Sequence, residues 1–176
     1  MMSKWVVDPD HSVAAFSVRH MMVADVHGQF NKITGTVEFD PLDAARISVA
    51  IEISAESIFT GIKKRDDHLR SQDFFDVEKY PGITFKSKKA ERTGFSSLKI
   101  TGDLTMHGIT RSVTLDVSYS GPVKSPFGET CLGFAGRLRV DREEFAMIWN
   151  QQLDLGGMMV GKDIDILINL ETDMVP

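Results

Sequence analysis

In residues 47–54, ISVAIEIS, every second position is aliphatic: Ile47, Val49, Ile51 and Ile53 alternate with Ser48, Ala50, Glu52 and Ser54. A repeat of two places alternate side chains on opposite faces of an extended chain, so this segment predicts a strand with one dry and one wet face. The same repeat recurs on both sides of it. Upstream, Ala14, Phe16, Val18 and His20 share one face, and Ile33, Gly35, Val37 and Phe39 share another. Between these sets the parity changes near Lys32, which predicts a bulge or turn. Downstream come Ile83 and Phe85, then Leu98 to Met106, Val113 to Tyr119, Leu132 to Val140, and Ile164 to Leu170.

Turn chemistry separates these runs. Pro81-Gly82, Thr93-Gly94, His107-Gly108, Gly121-Pro122 and Pro126-Phe127-Gly128 supply the backbone angles that chain reversal needs. The count is about eight strands, without the long helical patterns that parallel crossovers require, so neighbours are expected to be antiparallel. Pairing the last strand with the first would remove both sheet edges, which predicts a closed barrel. Eight strands enclose either a filled core or room for one small ligand, and periodicity does not choose between them. Between Ser57 and Tyr80 the alternation fails, and the polar run KKRDDHLR suggests one or two helical turns.

The chain has 176 residues, 42% hydrophobic and 26% charged, enough for one domain with its own core. A net charge of −5 offers no general attraction to phosphate backbones, so nucleic acid is not expected as a partner. The basic run Lys86, Lys88, Lys89 and Arg92 reads as the wet face of a strand. No apolar run is long enough to span a bilayer as a helix. No signal-like segment precedes Asp8 and Pro9, so the expected location is cytoplasmic, or periplasmic if the N-terminus is truncated.

Catalytic signatures are absent. There is no phosphate-binding glycine loop, no dinucleotide fingerprint and no nucleophile elbow. His11 and Ser12 are strand neighbours that point to opposite faces. The five histidines show no pair at ligand spacing, and Asp66, Asp67 and His68 diverge by about 100° each on a helical turn, so no metal site is expected. The single cysteine, Cys131, closes no intrachain disulfide. The aromatics instead fall on strand faces with aliphatic residues, either as a filled core or as the wall of a tunnel for an apolar ligand. Nine methionines, Met21, Met22, Met106, Met147, Met158 and Met159 among them, add side chains that adapt to a flexible chain.

Several motifs together resemble the YceI-like family. They are Asp8-Pro9-Asp10-His11-Ser12 with Phe16, Val18, Arg19, His20, Gly28 and Phe30; RDDHLRSQDFFDVEKYP from Arg65 to Pro81; GDLTMHGITR from Gly102 to Arg111; and Gly133-Phe134 followed by Asp141-Arg142, Phe145 and Trp149. The resemblance covers nearly the whole chain. It implies an all-β fold, an antiparallel eight-stranded lipocalin-like barrel with a short helical segment near residues 60–76, as a single domain over residues 1–176. It also implies an apolar cavity holding a long-chain amphiphile, typically a polyisoprenoid or isoprenoid quinone and sometimes a fatty amide, with no other cofactor, and a possible homodimer. The position after Phe145, commonly Gly in the family, is Ala146 here.

The expected function is therefore a non-enzymatic carrier of a long-chain isoprenoid lipid, a polyprenyl phosphate or a quinone. On the first half of the chain the expected lining residues are Phe16, Val18, Phe30, Phe39, Ile51 and Phe85. On the second half they are Ile100, Leu104, Leu115, Phe134, Leu138, Trp149, Ile166 and Ile168. A polar head group belongs at the mouth, because burying it uncompensated is costly; Arg65, His68 and Arg70 are its candidate partners, or else they tie the helical segment to the barrel. Two rivals stand beside the carrier: a cavity enzyme using His20 as acid or base, and an empty barrel acting through its surface on another protein.

Overall fold

A computed structural model describes residues 2–175. The alternating runs form strands β1 (Ser3–His20), β2 (Ala24–Phe30), β3 (Ile33–Phe39), β4 (Ser48–Ser54) and β5 (Ile58–Phe59). Helix α1 (Lys63–Arg70) follows, and then β6 (Gly82–Gly94), β7 (Ser97–Met106), β8 (Ile109–Lys124), β9 (Thr130–Asp141) and β10 (Val160–Met174). All pairings between strands are antiparallel, and β10 pairs with β1 to close the sheet.

The closed ring has eight staves, as expected, although ten strands are present. Strands β2 and β3 both lie against β1, with Ala14 opposite Phe30 and Ser3 opposite Phe39, and together act as one bent stave. The parity change falls at the bend. There the backbone leaves the ladder and is held by the next turn: Asn31 N donates to Ser57 O at 3.2 Å and Lys32 N to Ser57 Oγ at 3.0 Å. Strand β5 stands outside the ring and pairs only with the end of β2, Gln29 opposite Phe59.

Register separates two ends. At the lower end lie Ser3 opposite Phe39, the β6–β7 reversal after Gly94, and Lys124 opposite Thr130. At the upper end lie the turn after His20, the His107-Gly108 reversal, and the 3-10 turn Arg142–Phe145 that follows β9. Residues 55–81, including α1, also sit at the upper end. They depart from β4 and return to β6 where Ser54 faces Gly82, and Ala55 N donates to Pro81 O at 2.9 Å.

The basic run of β6 lies on the outer face as expected, with Lys88 Nζ 2.7 Å from Asp103 Oδ1 and Lys89 paired with Glu91. Among the described residues no helix is long and apolar enough to cross a membrane.

Candidate functional site: an apolar cavity beneath a polar-tethered lid

The inward faces of the ring do not meet. They enclose a cavity of about 190 Å³. On β10 its lining runs from Val160 to Leu170, about 33 Å of strand at about 3.3 Å per residue. Phe16 and Val18 of β1, Phe30 of β2, Ile51 of β4, Phe85 of β6, and Ile100 and Leu104 of β7 all face it. So do Leu115 of β8, Phe134 and Leu138 of β9, and Ile166 and Ile168 of β10. These side chains share the inner face because a closed sheet turns one parity of every stave inward.

Two glycines help keep the space open. Gly28 faces Phe16 across β1 and β2, and a Cβ there would lie 2.4 Å from Phe16 Cζ. On Gly102 a Cβ would lie 2.6 Å from Phe85 Cζ and 2.3 Å from Lys86 O. Each phenyl ring thus lies over a glycine, against the wall.

Phe39 and Trp149 are not in the lining, for different reasons. Phe39 is fully buried at the lower end, edge-on to Tyr119 at 4.8 Å and to Phe134 at 5.4 Å between ring centroids. It belongs to a floor beneath the cavity, since parity fixes a face but not a height along the barrel. Trp149 follows Ala146, whose left-handed backbone (φ 58°, ψ 19°) turns the chain away from the sheet. Its ring packs on His68 at 4.7 Å and Phe74 at 5.4 Å, against the lid.

That lid is α1 with the turns after it. Leu69, Phe74 and Phe75 line the top of the cavity, and Phe75 sits edge-on to Phe30 at 5.4 Å. Its polar side is tied to the chain. Buried Asp66 accepts from Thr60 N at 2.8 Å and Thr60 Oγ1 at 2.5 Å. Arg65 Nε donates to Thr60 Oγ1 at 2.7 Å and Nη2 to Thr60 O at 2.8 Å. Arg70 Nε donates to Glu56 O at 2.8 Å and Nη2 to Ile58 O at 2.7 Å. The His68 ring shares a 2.8 Å hydrogen bond with Asp73. None of Arg65, His68 and Arg70 lines the cavity; Arg65 donates to the hydroxyl and carbonyl of Thr60, and Arg70 to two main-chain carbonyls and to Asp67, so both arginines tie the lid to the chain. Asp66, Asp67 and His68 diverge as helical geometry requires, with Asp67 turned to Lys63 at 2.5 Å.

One charged side chain does reach the lining. Leu138, Val140 and Arg142 continue the same inward parity past the end of β9, and Arg142 is only 3% exposed. Its Nε donates to Gly161 O at 2.9 Å and its Nη1 to Met147 O, while buried Nη2 has no hydrogen-bond partner among the described residues. Desolvation holds its pKa below the usual guanidinium value, against the opposing pull of Glu143 and Asp141. The sequence motifs include Arg142 but do not mark it as a site residue, although the parity of β9 points to it.

Apart from Arg142 and Thr84 the lining is hydrocarbon, thioether and glycine, without a carboxylate, imidazole or thiol. His20 is half-buried and outside it. Met106 and Met147 line the upper wall, whereas Met21, Met22, Met158 and Met159 lie on the rim, where Met21 N donates to Met159 O at 2.7 Å. On β9, toward the lower end, the Cys131 thiol donates to Asp173 Oδ1 at 3.2 Å, and that bond raises its pKa to about 11, leaving a poor nucleophile at neutral pH.

The family model for the YceI-like domain matches residues 5–172. The chain belongs to the YceI-like family. A UPF0312 protein of Staphylococcus aureus strain USA300 is 36% identical over 164 residues, 93% of each chain. Among solved structures, Burkholderia cenocepacia BcnA superposes with a TM-score of 0.83 at 27% identity, covering 94% of this chain and 98% of that one. A Campylobacter jejuni YCEI protein gives 0.76 at 28%, over 90% of each. A Saccharophagus degradans domain described as polyisoprenoid-binding shares the fold at 11% identity, with a TM-score of 0.70 over 99% of this chain and all of its own.

Proposed function

We propose that this protein is a non-catalytic carrier that holds a long-chain isoprenoid lipid, a polyprenyl phosphate or an isoprenoid quinone, with its tail in the barrel. The observation that carries this reading is the enclosed space walled by apolar side chains contributed by every stave. Removing about 400 Å² of tail from water at about 25 cal/mol per Å² supplies about 10 kcal/mol gross, which leaves useful affinity after the costs of association and chain ordering. The Saccharophagus degradans domain shows the cargo class of one protein with this architecture; for this chain the weight rests on the wall itself. An isomerase or hydrolase would need an acid and a base at the lipid, and the lining offers no such pair.

Native mass spectrometry of protein purified without detergent tests the proposal. A bound species released intact as an isoprenoid lipid is the expected result, and the same spectrum reports whether one chain or two carries it. Protein that arrives empty and takes up no added isoprenoid would overturn the carrier and favour action through the surface.

A further inference from the structure

We propose that Arg142 anchors the head group of the cargo: its free Nη2 takes an anionic oxygen, from a phosphate or a carboxylate at the end of the apolar tail. This rests on the carrier reading and specifies it. The head then lies inside the upper end of the barrel, beneath Leu69, Phe74 and Phe75, with the tail running toward the Phe39 floor.

Two deficits at Arg142 lead to this assignment. A buried donor without an acceptor is destabilising, and such groups are uncommon in folded proteins. The second deficit is charge. Among the described residues Arg142 forms no ion pair: Asp141 is engaged by Glu143 N at 2.9 Å and Lys162 Nζ at 3.2 Å, and Glu143 is exposed. A guanidinium buried against hydrocarbon without a counter-ion is costly, and an oxyanion removes both deficits with a charge-assisted bond. A hydroxyl or a quinone carbonyl would repair only the hydrogen bond. Nε and Nη1 are fixed by Gly161 O and Met147 O, so the third nitrogen is already oriented. The lid arginines lack this feature: neither is fully buried, and all three nitrogens of Arg70 are bonded to the chain.

The test uses three probes with one tail: farnesyl monophosphate, farnesoic acid and farnesol, titrated into the full chain. The parent should bind at least one acid about tenfold or more tighter than the alcohol, and whichever acid leads names the head group. Arg142→Met should erase that preference while holding farnesol within about threefold of the parent, and Arg142→Lys should retain part of it. Should the Met variant not fold, guanidinium 15N resonances of the parent decide: those of Arg142 should shift on saturation with the preferred acid. Equal binding of all three probes by the parent, a preference that survives in Arg142→Met, or unmoved Arg142 resonances would overturn the anchor but leave the carrier standing. Failure of all three probes to bind the parent would overturn both.

Discussion

The two ends of the barrel are closed by different physics. At the lower end Phe39, Tyr119 and Phe134 fill the space edge to face, beside fully buried Leu98 and Leu132. At the upper end α1 and its turns place a few apolar side chains downward, but hydrogen bonds donated by Arg65 and Arg70 and accepted by Asp66 hold the segment in place. Close-packed rings lose dispersion and burial energy when they separate, and nothing replaces it. Hydrogen bonds exchange for bonds to water, at a net cost of about 1.5–3 kcal/mol each where one partner is charged. On the carrier reading, the floor is the permanent closure, and the lid is the end expected to open.

The largest effect should come from the floor. Phe39→Ala removes a buried ring with no freedom to collapse, and should lower the free energy of unfolding by about 3–5 kcal/mol, read as a lower urea midpoint. A loss below about 1 kcal/mol would break the distinction between the ends. At the lid, the double variant Arg65→Ala with Arg70→Ala should act on exchange: a bound farnesyl probe should dissociate about tenfold faster, a barrier change of about 1.4 kcal/mol, with the preference for acid over alcohol unchanged. A lost preference would return the head group to these arginines. The smallest effect is at Ala146, where a left-handed conformation burdens a residue with a Cβ. Ala146→Gly should stabilise the protein by about 0.5–1 kcal/mol once the extra entropy of unfolded glycine is counted, visible as a modest rise in Tm. A fall in Tm would mean that the methyl group contributes packing at the rim.

The ring was legible because its rule is simple. Ile164, Ile166 and Ile168 declare their face by parity, and the break near Lys32 announces the bend that merges β2 with β3. Height along the axis was not legible, which is why Phe39 was expected in the wall and lies in the floor. Loop packing was equally hidden, so Trp149 was expected at the cavity and rests on His68 and Phe74. Arg65 and Arg70 looked available because most of their acceptors are main-chain carbonyls, of Thr60, Glu56 and Ile58, which every sequence possesses and none advertises. Arg142 was the opposite case: the signal was present in Leu138, Val140 and Arg142, but a charge at an inward position reads as the strand's end unless parity is followed past it.

Ser54 and Gly82 stand face to face in the sheet, so the chain that wanders over the top sets out and comes home at the same doorstep. Closing such an excursion changes in entropic cost only slowly with its length. The cover is thus a near-cassette: exchanging it leaves the Ser54–Gly82 rung in place, provided the replacement keeps the Ser57 bonds to Asn31 and Lys32 and the pairing of β5 with β2.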